Sequence, residues 1–179
     1  LRSLVGSEMC KETATGTSSL GTTGTANSLP QVKAYIQTGS VKDITVDTAF
    51  NVKENFTVPE GFTITIRSDM ITIDAGYKLS NEGTITGKIK VNGIFENNGV
   101  FGDDTYTSEI TVSSAPVTRG AADTTRCYVI NDGVMFLNGF TIYDITNPRI
   151  TEFTNAGELY LYSNTADDLF LYTSDAADE

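Results

Sequence analysis

Histidine and tryptophan are both missing from this chain of 179 residues. Without histidine there is no Ser-His or Cys-His pair, and the commonest general base and transition-metal ligand are gone. Without tryptophan, the broadest aromatic face for stacking on a sugar ring is gone as well. Cysteine is scarce: Cys10 and Cys127 stand alone, in neither a CxxC nor a metal-ligand spacing, which excludes a disulfide-dense or zinc-held scaffold. No apolar run approaches the ~20 residues a membrane-crossing helix requires. The hydrophobic fraction of 39% and mean hydropathy of −0.13 suit a water-soluble chain large enough for one domain with its own core. Positive charge is short too. Twelve Lys and Arg face twenty-three Asp and Glu, a net −11 that repels a phosphate backbone and argues against nucleic acid.

What is present falls into unequal parts. Residues 11–27, KETATGTSSLGTTGTAN, hold Thr, Gly and Ser with almost nothing apolar to bury, the composition of a flexible linker. A short helix is expected over 28–39. Ser28 and Gln31 stand as N-cap and N3 of a capping box, Pro30 falls in the first turn, and Gly39 supplies the stop. Leu29, Val32 and Ile36 share its apolar face, which suits a cap on one end of a sheet structure. From Val41 onward the period changes to two. Asp43-Ile44-Thr45-Val46, Phe62-Thr63-Ile64-Thr65-Ile66, Ile71-Thr72-Ile73 and Ile89-Lys90-Val91 alternate β-branched or aromatic residues with polar ones, the pattern of half-buried strands.

The turns between these strands carry a repeat. Asn81-Glu82-Gly83, Asn97-Asn98-Gly99, Asn131-Asp132-Gly133 and Asn155-Ala156-Gly157 share Asn-x-Gly, and the second residue after each glycine is large and apolar: Ile85, Phe101, Met135, Leu159. A second set, Asn92-Gly93 and Asn138-Gly139, falls between members of the first. Such punctuation suits a parallel β-solenoid, in which each coil is a few short strands joined by corners. Corner residues often need positive φ, which glycine adopts freely and asparagine tolerates. Stacked asparagines can also bond one another in a ladder. The 34-residue step between Gly99 and Gly133 predicts an excursion over 102–126. The alternative architecture is an antiparallel β-sandwich, because Asn-Gly is also a hairpin signal. Strands of about three to five residues, with the apolar position tied to the corner, favour the all-β solenoid with its short N-terminal cap helix over 28–170.

The order SLPQVKAYIQTGSVKDITVD, FTVPEGFTITI and then a run of NxG corners resembles the start of right-handed parallel β-helix regions, the pectate-lyase-like architecture, in exported bacterial surface proteins. That resemblance implies an extracellular or cell-surface location. It implies one of two roles: a non-catalytic stalk or adhesive, carbohydrate-binding region, or a polysaccharide lyase or glycoside hydrolase. The enzyme would hold its site in the excursion or in coils beyond this chain. The two ends resemble something else. SLVGSEMC, within 1–10, and LYTSDAADE, at 171–179, are similar to translated sequencing adapters at the edges of reading frames from assembled environmental DNA. Setting these segments aside takes the formal charge from −11 to −8, since Arg2 cancels Glu8 and three carboxylates leave at Asp175, Asp178 and Glu179.

Candidate chemistry is sparse. No catalytic residues are assigned, and a non-enzymatic role is the leading expectation. Asp103-Asp104 is the best carboxylate pair and a candidate for a hard cation such as Ca²⁺, though the calcium-binding β-roll nonapeptide is absent, so no cofactor is assigned beyond that pair. Tyr160 and Tyr162 alternate with Leu159 and Leu161, which predicts two aromatics on one outer face, suited to a polysaccharide or cell-surface glycan. Lys88 and Lys90 read as the solvent face of a strand, and Arg119, Asp123 and Arg126 as surface charge. Cys127 shares parity with Val129 and is expected to be a buried thiol. Asn55-Phe56-Thr57 fits a glycosylation sequon.

Overall fold

The structure, a computed structural model, describes residues 23–67, 70–105, 107–113, 127–143 and 151–162. Both adapter-like segments, the Arg119–Asp123–Arg126 group and most of the 11–27 stretch lie outside the described residues.

The chain enters through β1 (Thr23–Ala26) and passes into α1 (Leu29–Thr38). It then winds through β2 (Asp43–Val46), β3 (Asn51–Val52) and β4 (Phe56–Val58). The next coil is β5 (Thr63–Ile66), β6 (Ile71–Ile73) and β7 (Lys78–Asn81). It is followed by β8 (Thr84–Thr86), β9 (Lys88–Val91) and β10 (Ile94–Asn97). Two more coils come from β11 (Val100–Phe101), β12 (Glu109–Ser113) and β13 (Cys127–Asn131), then β14 (Val134–Leu137), β15 (Gly139–Tyr143) and β16 (Thr151–Asn155). A last strand, β17 (Glu158–Leu161), begins another turn.

Each third strand stacks on the one before it, which produces three sheets. Sheet I runs β1-β2-β5-β8-β11-β14-β17, sheet II runs β3-β6-β9-β12-β15, and sheet III runs β4-β7-β10-β13-β16. Among the described residues every strand pairing is parallel. This is a parallel β-solenoid of about five turns, and the antiparallel sandwich is excluded, since hairpins would pair neighbours in sequence.

The alternation of the strands dictates the core. On sheet I the inward column is Ile44, Ile64, Ile85, Phe101, Met135 and Leu159, matched one above another by strand register. Ile44 through Met135 are buried, and Phe95 of sheet III meets Phe101 edge-on at 5.3 Å between ring centres. Each such side chain contributes roughly 1.5–3 kcal/mol through burial. Leu29 and Val32 of α1 close the N-terminal end of this core. No helix among the described residues is long and apolar enough to cross a membrane.

Four sequence expectations change at this level. The end of the 11–27 stretch is not linker: β1 pairs in parallel with β2, and Ala26 is fully buried. Glycine is accepted at Gly24 because Val41 and Tyr35 press on that face, where a Cβ would sit 3.1–3.3 Å from their side chains. The capping box does not form either. Ser28 holds the extended N-cap backbone with no side-chain bond, and Gln31 Oε1 instead accepts the Asn27 N–H at 2.7 Å. The 102–126 interval is not all excursion, because β12 stacks between β9 and β15 in the regular register. Its Ile110 and Val112 are fully buried. Finally, Asn92-Gly93 and Asn138-Gly139 belong to different columns. The first turns from β9 to β10, whereas Asn138 lies between β14 and β15 and Gly139 opens β15 opposite Glu109.

Candidate functional site

The Asn-x-Gly corners all join sheet III to sheet I, and they form a column of their own. Asn81, Asn97, Asn131 and Asn155 each end a sheet III strand, and the first three are fully buried. Asn81 Nδ2 donates to Asn97 Oδ1 at 2.7 Å, Asn97 Nδ2 to Asn131 Oδ1 at 2.8 Å, and Asn131 Nδ2 to Asn155 Oδ1 at 2.6 Å. The same amides reach backbone carbonyls of the next coil, as from Asn97 Nδ2 to Val134 O at 3.1 Å. In the later three corners the two N–H groups converge on the asparagine carbonyl of the coil below, as Asn98 and Gly99 donate to Asn81 O at 2.8 and 2.9 Å, while Glu82 and Gly83 donate to Val58 O.

The glycines serve a different purpose from the one expected. Positive φ occurs at Gly39, Gly61, Gly76, Gly87 and Gly102, and at none of Gly83, Gly99, Gly133 or Gly157. These four are glycine because the coils touch there. A Cβ on Gly99 would lie 2.2 Å from Gly83 O, and one on Gly133 or Gly157 would lie 2.1 Å from the glycine carbonyl beneath it. Gly93 meets the same limit at its own corner, 2.3 Å from Tyr77 O, while Gly139 has no atom nearer than 3.8 Å. These corners are scaffold: they hold successive coils in close contact.

On sheet I that scaffold presents the candidate site. Phe136 stands directly opposite Tyr160 in register, and the two rings stack at 4.8 Å with 11° between their planes. Tyr160 is 43% exposed and its hydroxyl donates to Glu158 Oε2 at 2.9 Å. Tyr162 follows β17, 48% exposed, with its backbone N–H bonded to Leu137 O at 2.9 Å. Leu159 faces inward and is half-buried, whereas Leu161 is 48% exposed. Phe136 and Glu158 escaped the sequence reading, although the repeat held the signal. Phe136 is three residues after Gly133, and Tyr160 is three after Gly157.

The other candidates are scattered. Asp103 uses one carboxylate oxygen to accept the Thr105 N–H at 3.0 Å and the Thr105 hydroxyl, forming a closed local turn, with Asp104 exposed beside it. Among the described residues no group of three or more His, Cys, Asp or Glu is placed to hold a metal ion. Lys88 pairs across coils with Glu109 at 3.1 Å, and Lys90 projects from the same sheet II strand. Cys127 is fully buried in β13. Asn55 is exposed, and its Oδ1 accepts the Lys78 N–H at 2.9 Å. On sheet III the Glu96 carboxyl is held below its ordinary value by a 2.8 Å bond from Lys78 Nζ and further by Ser80 Oγ, against partial burial.

Fold and site together define a parallel β-solenoid with a stacked aromatic pair, Phe136 and Tyr160, on the outer face of one sheet. Compared with protein-family models, with curated proteins and with solved structures, the chain matches none.

Proposed function

We propose that this chain is a non-catalytic segment of a secreted or cell-surface protein, a right-handed β-helix of the pectate-lyase-like kind, acting as a stalk with a carbohydrate-binding patch. The observation that carries this reading is the Phe136–Tyr160 stack. Its half-exposed ring face, with the Glu158 carboxylate and Tyr162 beside it, suits the apolar face of a pyranose and its flanking hydroxyls. The solenoid supports the stalk role in a simple way, because each coil bonds only its neighbours and the rod can lengthen without a new core.

Screening the full chain against an array of polysaccharides tests the patch. Tyr160→Ala and Tyr162→Ala should abolish glycan binding and leave the melting transition close to that of the parent, while Lys90→Ala should retain binding. Glycan binding that survives both tyrosine substitutions would remove the site. Calcium-dependent release of unsaturated or reducing ends, lost in Asp103→Ala, would replace the non-catalytic reading with a lyase or hydrolase.

A further inference from the structure

The outward residues of sheet I differ from those of the other two sheets. In register across the first four strands, one outer rank reads Thr23, Asp43, Thr63 and Thr84. The second rank, two residues along each strand, reads Thr25, Thr45, Thr65 and Thr86. Seven of eight positions are therefore threonine. Strand preference alone does not explain this, because sheets II and III are parallel sheets of the same solenoid. Their residues of the same parity in the neighbouring coils are Asn51, Thr72, Lys88 and Lys90 on sheet II, and Thr57, Lys78, Ser80, Ile94 and Glu96 on sheet III, a mixed and charged set with two threonines. The lysine–carboxylate pairs Lys78–Glu96 and Lys88–Glu109 lie on those two sheets, whereas the first four strands of sheet I carry one carboxylate, Asp43, and no lysine.

The geometry of the two ranks is that of a lattice. Parallel strands repeat at about 4.8 Å along the axis, and residues two apart on a strand repeat at about 6.6 Å across it. Threonine is branched at Cβ and stiff at χ1, so its hydroxyl and methyl are held in fixed positions. Thr23 and Thr25 are exposed, and the other five threonines are half-buried by their neighbours in the sheet. Among the described residues the one side-chain hydrogen bond these hydroxyls make is within a rank, from Thr86 to Thr65 at 3.4 Å. One open sheet face does not enclose a small ligand, and a single carboxylate among eight positions is little charge to steer a charged macromolecule.

We propose that this threonine face binds ice. A rigid, uncharged, two-dimensional array of hydroxyls and methyls is complementary to another rigid array, and oxygen atoms on the faces of hexagonal ice repeat at distances of this size in both directions. Each hydroxyl replaces or anchors a lattice water, and each methyl sits in the hollow between them. A crystalline polysaccharide is the competing lattice, but the four-coil threonine block contains no aromatic ring for its sugar faces. The inference does not depend on the glycan patch, which lies in later coils of the sheet.

The experiment measures ice-recrystallisation inhibition and incorporation into a slowly growing ice front, using the full chain. The parent should be enriched in the ice and should hold crystal size. Thr65→Lys, which puts a mobile hydrated charge in mid-array, should lose both effects. Thr72→Lys, on sheet II, should keep them. Asp43→Thr completes the outer rank and should inhibit recrystallisation at lower concentration than the parent. Circular dichroism melts of all four proteins identify any loss caused by unfolding, and Thr65→Ser provides a milder replacement if Thr65→Lys does not fold. Exclusion of the folded parent from ice would overturn the proposal, as would equal losses in folded Thr65→Lys and Thr72→Lys. Adsorption to crystalline polysaccharide without any ice affinity would also overturn it and assign the face to that surface.

Discussion

Replacing Gly99 with alanine should be among the most damaging single-methyl additions in this protein. The backbone at Gly99 does not have positive φ, so an L-residue is conformationally acceptable there. On that ground alone, alanine would stabilise by about 0.4–1 kcal/mol through the unfolded chain. The obstacle is the coil beneath. The new Cβ would sit 2.2 Å from Gly83 O and 2.7 Å from the Glu82 carbonyl carbon. Ordinary contact needs the coils to part locally by about 1 Å. That movement stretches the bonds from Asn98 and Gly99 to Asn81 O and from Val100 to Gly83 O, now 2.8–2.9 Å, past useful length. Three such bonds at about 1 kcal/mol each, with overpacking strain of about 1–3 kcal/mol, give a net loss of about 3–5 kcal/mol. Urea unfolding should show a lower midpoint at unchanged slope, with Lys90→Ala as a control that stays within about 0.5 kcal/mol of the parent. Gly99→Asn makes the comparison sharper, since asparagine tolerates left-handed backbone but carries the same Cβ. It should lose at least as much as alanine. A Gly99→Ala loss below about 1 kcal/mol, or an asparagine variant close to the parent, would refute the steric account.

Asn97→Ala should cost about 2–4 kcal/mol, because it leaves the buried Asn131 Oδ1 without its donor and removes two amide bonds to backbone carbonyls. Thermal or urea unfolding measures this, and a cost near that of an exposed site would mean that the ladder is energetically idle. Glu96 has a depressed carboxyl, so its contribution is present above the ordinary value of about 4.3 and is lost as pH falls through the folded-state value. Glu96→Gln should therefore flatten the acid limb of the stability–pH curve. At neutral pH it should cost less than about 1 kcal/mol, since the Lys78–Glu96 pair is partly exposed.

Much of this architecture was legible in the sequence, and the reason is periodicity. Alternation in Thr63-Ile64-Thr65-Ile66 reports which side chains enter the core, because strand geometry sends successive residues to opposite faces. Asn-x-Gly-x-apolar reports a corner and the inward residue after it, because each coil repeats the environment of the last. These are local signals, and they sufficed for the all-β solenoid and its cap helix. What escaped depends on residues one coil away. Gly99 must be glycine because of Gly83, sixteen positions earlier, so φ-based reasoning about Gly99 itself chose the wrong cause. Asn92-Gly93 and Asn138-Gly139 look alike as dipeptides, yet register places them at different corners. Thr23–Ala26 reads as linker until β2 supplies a partner strand and Val41 and Tyr35 a lid. Stacking decided the rest. Phe136 meets Tyr160 only because β14 lies beside β17, and isolated threonines become an array only when parallel strands bring them into rank. The sequence alone determined which residues face in, which face out and where the chain turns, since backbone geometry imposes those within a few residues. The tertiary structure decided which outward residues are neighbours, because that depends on how many residues each coil spends between equivalent strands.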